Sequence, residues 1–589
     1  MKKKNGFTLI ELLAVIVILS VIALIATPLI LNIIEDSRKG TFKDSVYGAI
    51  KASKIALANE NLEEISNNQL TFNFSTGSNV SKLNLKGTTP KAGYLTIDSE
   101  GRIELLITDN KYCAKKSFGD DDDKITIEKY TESNCKTQYK EDILNGADPI
   151  YNEKLIPVII NDDGTVKKAD TLKEWYKYEE KKWANAVILK NNTNYNINDI
   201  IPENNIKEYY VWIPKYAYKL WNVNSDNIEN VKKPIEIVFG NKAITTGEEN
   251  GKMYVHPAFT NFNTYGIWVG KFEISYDEET YTNKDLYLTK NPNYSSATDS
   301  SKLIVKPNVR SLTNKNVSSF YTLIKKSHQD LNSHMMTNME WGATAYLTYS
   351  KYGRCNDTTC TEVTINNINT GYYGKSTVFS GQWQYGATIT GCAGDTVSAS
   401  VLSNSNDCTN KYNMAKGYLA STTGNITGIY DMSGGNWEYV MGVLENSSGK
   451  LYSGRNSKLN SGFRGIYGCP TCDSDTSGIT ENTTGINFPN NKYYDSYVSS
   501  DAIGTDNWYK YTSGMLGDAT KEIANTKTNS SSGDRGLWFN DYASFVSPVS
   551  PFFVRGGSWH DGAAAGVLDF GHNTGHSDRD DSVRSVLAF

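Results

Sequence analysis

The chain has 589 residues and a net charge of -5 with a pI near 5.9, too long for one ordinary domain, so three or so folded units are the expectation. No basic cluster follows the first few residues, which speaks against nucleic acid as a partner of the exposed part. Gly, Asn, Ser, Thr and Tyr are abundant and aliphatic runs are scarce after Ile34, a texture of short strands, many turns and large loops that suits an extracellular surface protein.

The chain opens on Lys2 to Lys4 and Gly6, followed by the apolar stretch Phe7 to Ile34. As a helix rising about 1.5 Å per residue, that stretch is long enough for a hydrocarbon core of about 30 Å. It contains one acid, Glu11, whose charge in an apolar setting demands a partner. A secretory signal would have a shorter apolar core, a small-residue cleavage site after it and no acid at its head. A plain membrane anchor accounts for neither Gly6-Phe7 nor Glu11. The leader ending in Gly6, then Phe7, Thr8 to Glu11, and Pro28 seventeen residues after the acid, resembles the N-terminus of a type IV prepilin.

That resemblance implies cleavage after Gly6 by a prepilin peptidase and methylation of Phe7. It also implies a charge pair between Glu11 and the terminal amine of a neighbouring pilin subunit during assembly. The protein would sit in the inner or cytoplasmic membrane before assembly, then in an extracellular pilus or on the cell surface.

Phe42, Val46, Ile50 and Leu57 recur at helical spacing, so the helix is expected to run from residue 7 to about 60, roughly 80 Å. Pro28 removes one backbone hydrogen bond and is expected to kink or loosen its first half. Residues 61–140 alternate in strand fashion, through LTFNFS, KLNLKG, GYLTIDSEGRIELLITDNKYC and KITIEKY, with a turn signal at Asp98 to Gly101. This reads as the small antiparallel head of a pilin. Asp120 to Asp123 lack the ligand spacing of known calcium loops and read as a solvated acidic turn. Residues 141–205 read as a connecting β module whose Trp175, Tyr176, Tyr178 and Trp183 pack against the next domain; an aromatic sugar platform is the functional alternative.

The eight cysteines form four local pairs, Cys113 with Cys135, Cys355 with Cys360, Cys392 with Cys408, and Cys469 with Cys472. In an exported chain these are expected to be disulfides that staple loops. A zinc site from Cys355, Cys360, Cys469 and Cys472 is the alternative, set below disulfides because the pairs lie far apart in sequence. Connectivity stays open.

Residues 206–589 carry four separated blocks: GIWVGKFEIS at Gly266 to Ser275, MTNMEWGATAYLTYSKYG at Met336 to Gly353, GIYDMSGGNWEYV at Gly428 to Val440, and VRGGSW at Val554 to Trp559. In this order they resemble the formylglycine-generating, sulfatase-modifying family, whose fold is a variant of the C-type lectin fold. The resemblance departs at Gly434 to Tyr439, where G-G-N-W-E-Y replaces the usual G-N-x-W-E-W. Thr337 and Glu340 form a T-x-x-E capping box for a helix to about Tyr352, and Gly434-Gly435 suit a tight turn ahead of Asn436 and Trp437. Trp341, Trp437 and Trp559 read as core or pocket-wall residues. The implied fold class is α+β: a long pilin helix with a small antiparallel β head, then a C-type-lectin-like α+β domain with long loops.

Oxidase members of that family use two reactive cysteines near the C-terminal end, holding copper, and iron-dependent relatives use a cluster of histidine-type ligands. No cysteine follows Cys472, and without thiolates that chemistry is lost. The six histidines are His256, His328, His334, His560, His572 and His576; the last three share a region without helical ligand spacing, so a metal site from them is only the alternative. No enzyme activity, cofactor or metal is expected.

Residues 555–589 resemble the variable region of proteins diversified by retroelements, which place it at the end of a C-type lectin fold. Gly556, Gly557, Gly562, Gly566, Phe570 and the closing SVRSVLAF look like scaffold. Ser558, Trp559, His560, Asp561, Ala564, Asp569, Gly571, His572, Asn573, Thr574, His576, Asp578, Arg579, Asp580 and Asp581 form the expected ligand-facing set, acidic and histidine-containing, so binding would depend on pH near 6. All but Trp559, itself counted with the scaffold, are reachable from adenine-rich codons; a plain polar loop is the bland alternative. The expectation is a minor pilin or pilus-tip adhesin for an unidentified protein or glycan. A membrane-tethered formylglycine-generating-type oxidase and a pseudopilin of a secretion or DNA-uptake system are the alternatives.

Overall fold

The computed structural model describes residues 9–59, 69–74, 80–85, 89–98, 101–116, 124–131, 147–171, 174–191, 193–220, 233–240, 253–262, 264–282, 297–368, 388–397, 408–445, 451–452, 461–464, 486–498, 516–520, 539–547, 550–577 and 581–588. The chain divides into two compact units, Met1–Leu144 and Asn145–Phe589. Strands outnumber α-helices 24 to four among the described residues, a mixed α+β architecture that is mainly strand.

In the first unit a single helix, Leu9–Asn59, continues through Pro28. Its later half has an apolar stripe, because Phe42, Val46, Ala49 and Ile50 fall three or four residues apart, and all four are buried against a sheet. That sheet is an antiparallel meander of Gln69–Asn73, Ala92–Asp98, Ile103–Thr108, Tyr112–Lys116 and Thr126–Lys129. Strand alternation sends Leu95 and Ile97, then Ile103, Leu105 and Ile107, to the helix side. At the ends of the expected turn, Gly101 takes φ +79° and donates to the Asp98 carbonyl at 2.9 Å, and the Asp98 carboxylate accepts from the Arg102 backbone at 2.8 Å and its Nε at 2.7 Å.

One predicted strand does not form among the described residues: KLNLKG begins inside a 3-10 turn, Val80–Leu83, and its last two residues lie outside the description. Its alternation is too short to compete with burial of Leu83 among the residues that pack on the helix. The Asp120 to Asp123 run lies outside the described residues.

The earlier half of the helix is different. Leu9, Ile10 and Leu24 are 83%, 79% and 78% exposed, and the described aliphatic side chains between them are all at least 45% exposed. Among the described residues no helix is long and apolar enough to cross a membrane. The side chains of Glu11, residues 22 and 23, and residues 25–33 lie outside that description.

The second unit is built on two main sheets. The first has seven strands, ordered His334–Met335, Ser585–Leu587, Gly266–Gly270, Ile206–Pro214, Asn185–Leu189, Ile156–Ile160 and Val166–Lys168. All its neighbours are antiparallel. Trp268 sits opposite Trp212 in register with ring centroids 5.2 Å apart, at the centre of the larger core. The segment 141–205 therefore forms no module of its own: the chain divides at residue 144, and the strands at 156–189 join this sheet. Its aromatics enter the common core, with Tyr178 stacked on Trp183 at 6.1 Å and the Trp183 indole donating to the Tyr352 carbonyl at 2.8 Å.

The second sheet runs Asp495–Val498, Trp437–Glu445, Phe552–Gly556 and Gly566–Asn573, with Asp581–Val583 on the free stretch of the Trp437 strand. Helix Asn338–Thr348 packs beside it. Its predicted capping box is present, with Thr337 Oγ1 accepting from the Glu340 backbone at 3.2 Å and Glu340 Oε2 accepting from the Thr337 backbone at 2.9 Å. The helix ends at Thr348, a turn short of Tyr352. Trp341 is fully buried and donates from Nε1 to the Val567 carbonyl at 2.8 Å, tying this helix to the Gly566–Asn573 strand.

A small sheet of Glu236–Phe239, Tyr216–Lys219 and Tyr254–Val255 encloses His256. The ring is fully buried among Tyr216, Tyr218, Phe259 and Tyr346. Burial lowers its pKa from 6.5 to about 3, although Nε2 lies 2.8 Å from the Gly517 carbonyl. A folded-state pKa below the unfolded one gives stability that is fully present above the unfolded value and is lost as pH falls toward 3. Between pH 7 and pH 5 this contribution should fall by about 2 kcal/mol. Glu438 and Asp495, both raised by burial to about 7, act in the opposite sense. Urea titrations of wild type and His256→Phe at both pH values isolate the histidine: the variant's stability should move about 2 kcal/mol more favourably on acidification, and parallel shifts would refute this assignment.

Candidate functional site

A cavity of about 310 Å³ opens on the second sheet, lined by Trp437, Tyr542, Val554, Asp561, Ala564, Gly571, His572, Asn573 and Asp581. Strand register assembles it. Trp437 pairs with Asp581 and Val554 with Gly571, so residues far apart in sequence meet on one wall. The missing side chain at Gly571 leaves room: a Cβ there would lie 3.3 Å from Val554 Cγ2 and 3.4 Å from Trp437 Cη2.

Trp437 is aimed by the turn before it. Gly434 and Gly435 take φ +70° and +79°, which ordinary side chains rarely adopt. A Cβ on Gly434 would lie 2.3 Å from Ile365 Cγ1, and one on Gly435 would lie 2.5 Å from Glu273 Oε1. The turn is locked by backbone bonds from Gly434 to the Gly556 carbonyl at 2.9 Å and from Trp559 to the Gly435 carbonyl at 2.8 Å. Tyr542 comes from a loop held on the Gly566 strand, where its carbonyl accepts from Phe570 at 3.0 Å while its amide donates to Ala564 at 2.8 Å. The Trp437 and Tyr542 rings meet at 78°, with centroids 6.2 Å apart.

The polar groups are held in place. Asp561 Oδ2 accepts from the Ser558 backbone at 2.7 Å and its Oγ at 3.0 Å, and Asn573 Nδ2 donates to Asp581 Oδ2 at 2.8 Å. Beneath the site three buried acids, Glu273, Asp431 and Glu438, gather around Arg584. Its Nε donates to Glu438 Oε2 at 3.1 Å, Nη2 contacts Glu438 Oε1 and donates to the Tyr430 carbonyl at 3.0 Å, and Nη1 donates to the Gly270 carbonyl at 2.8 Å. Burial pushes the Glu438 carboxyl up to about 7 against the pull of Arg584. Glu273 is raised well above its ordinary value by burial, then by Glu438 and Asp431, while Asn436 donates to both its oxygens at 2.8 and 2.9 Å. This network anchors the turn and the Asp581–Val583 strand from behind.

Of the fifteen residues expected to face a ligand, six line the cavity: Asp561, Ala564, Gly571, His572, Asn573 and Asp581. Three are buried beneath it instead. Ser558 holds Asp561, Trp559 packs edge-on against His560 at 4.9 Å, and Asp569 turns inward toward Gly557 and Arg555. Asp569 occupies a strand position facing the core, which codon reachability could not reveal. His560, Thr574 and His576 are partly exposed outside the lining. Asp578, Arg579 and Asp580 lie outside the described residues, as do Gly6 and Phe7 and the Glu11 side chain.

Trp437 stands on the pocket wall, while Trp341 is core. Tyr542 and Val554 were not in the expected set; Tyr542 lies in a loop with no motif. Cys355–Cys360 and Cys392–Cys408 are disulfides, and Cys113 is disulfide-bonded; Cys135, Cys469 and Cys472 lie outside the described residues. No group of three or more His, Cys, Asp or Glu side chains suited to a metal ion occurs among the described residues. A larger cavity of about 550 Å³ elsewhere in this unit has its charges matched internally, Lys190 to Asp277 at 2.7 Å and Lys306 to Glu203 at 3.1 Å.

No curated protein matches the chain. Residues 1–27 match the prokaryotic N-terminal methylation motif, so the N-terminus is type IV prepilin-like, as in pilin-like and pseudopilin-like surface or secretion-related proteins.

Proposed function

We propose that the chain is a minor pilin or pilus-tip adhesin, whose second unit is a C-type-lectin-like binding domain without catalytic activity. Ligand docks in the cavity at Trp437, and the retroelement-type variable segment supplies its exchangeable wall. One observation carries this reading: six residues singled out from the C-terminal segment line a single cavity together with Trp437 and Tyr542. Their backbones are fixed by register and by the Arg584 network, so side chains there can change at little cost to the fold.

Gly571→Ala tests it. The backbone at this position needs no positive φ, and the added methyl asks Val554 to yield only by tenths of an ångström, a cost of about 1 kcal/mol or less. The methyl nevertheless enters the binding space. Cells displaying wild type or variant are compared for adherence to arrays of immobilised proteins and glycans. Adherence should fall at least fivefold in the variant at equal surface level, with a urea midpoint lowered by no more than that small cost. Adherence that ignores Gly571→Ala would refute the cavity as the binding site.

A further inference from the structure

We propose that this cavity takes a cationic side chain, the guanidinium or ammonium of an arginine- or lysine-bearing peptide, an inference that rests on its being the ligand site. The described lining carries two carboxylates, Asp561 and Asp581, one imidazole and one amide, and no lysine or arginine. The carboxylates are pre-oriented: Asp561 by Ser558 and Asp581 by Asn573. Reorganisation on binding is therefore small.

The aromatic pair supplies the second half of the chemistry. Trp437 and Tyr542 meet nearly at right angles, forming a corner whose ring faces carry partial negative charge and attract a cation within about 6 Å of a centroid. A guanidinium stacks on such a face while its edge donates to carboxylate, a combination that an ammonium meets less fully and a neutral group does not meet. The volume of about 310 Å³ lies at the small end of ligand pockets, which begin near roughly 300 Å³. It admits one long side chain or one small ring. An inorganic cation is disfavoured by the donor set, since no cluster of three ligating side chains occurs among the described residues.

The test uses the full processed chain in detergent, followed by tryptophan fluorescence and calorimetry. The probes are N-acetyl-arginine amide, N-acetyl-lysine amide, N-acetyl-citrulline amide, methyl galactoside and calcium chloride. Citrulline keeps the shape of arginine and removes its charge. The arginine probe should bind at least tenfold more tightly than citrulline, and affinity should fall as salt is raised. Asp561→Asn, which keeps an oxygen to accept from Ser558, should weaken the arginine probe at least tenfold with an unchanged urea midpoint.

Equal binding of citrulline, binding of galactoside or calcium in place of the basic probes, or no binding of either basic probe overturns the cationic assignment. Those outcomes leave the adhesin reading standing if adherence still depends on Gly571. If adherence ignores Gly571→Ala, that reading falls with its own test.

Discussion

Arg584→Met should lower the unfolding free energy of the second unit by about 3–5 kcal/mol, because it breaks a buried ion pair from one side only. Methionine keeps the length and apolar volume of the stem but leaves Glu438 facing Asp431 and Glu273 in a buried site. Four hydrogen bonds go with the guanidinium, two of them to the Gly270 and Tyr430 carbonyls. The sign of the pH response follows from Glu438, whose carboxyl burial already lifts to about 7. Losing Arg584 lifts it further, so the variant's deficit should grow as pH rises from 6 to 8 and shrink on acidification. Glu438→Gln in the same chain removes the stranded charge and should restore more than half of the loss, the non-additivity that marks coupled residues. Urea titration of the single and double variants measures all of this; a single variant within about 1 kcal/mol of wild type would show that the pair carries no such weight.

Gly6→Leu should abolish maturation rather than weaken it. The methylation motif at residues 1–27 implies a cut after Gly6, and a branched side chain there obstructs a peptidase that accepts glycine. Mass spectrometry should find wild type beginning at an N-methylated Phe7 and the variant beginning at its initiator end with no methyl group. The consequence for assembly follows from the first half of the helix. The described large aliphatic side chains from Leu9 to Leu24 are about half to four-fifths exposed, and covering them is worth on the order of 10 kcal/mol or more. Lipid or neighbouring subunits can provide that cover, whereas water cannot. The uncut variant should therefore stay in the membrane fraction and be missing from sheared surface fibres. A wild-type terminus after Ala26, or normal assembly of the uncut variant, would contradict the prepilin reading.

Local rules wrote several of these features openly into the sequence. Phe42, Val46 and Ile50 repeat every four residues, so the helix face buried on the first sheet was visible before any fold. Thr337 with Glu340 announces a helix start through its own hydrogen bonds, and Gly434-Gly435 announces a positive-φ turn that no other residue type fills cheaply. Cys355 with Cys360 and Cys392 with Cys408 close loops short enough for proximity to be implied.

What stayed hidden depends on long-range pairing. Lys82 to Gly87 alternate like a strand, but Leu83 closes a 3-10 turn and packs among the residues buried on the helix. Residues 156–189 read as a connector because nothing local says that their strands continue the sheet begun at Ile206. Tyr542 reaches the cavity through backbone bonds to residues 564 and 570, and Asp569 faces inward because of strand phase. Neither has a signature of its own.

The position of Ser585–Leu587 has a consequence for how the protein is made. This strand lies inside the seven-stranded sheet, between His334–Met335 and Gly266–Gly270, so the sheet cannot close until residue 587 has left the ribosome. A stop codon or frameshift introduced anywhere in residues 558–581 deletes that strand and Arg584 together. Such products never complete the fold and go to proteases. On the proposed reading, a diversified wall of the cavity would be translated just ahead of its own quality check, and only chains read through in frame would reach display.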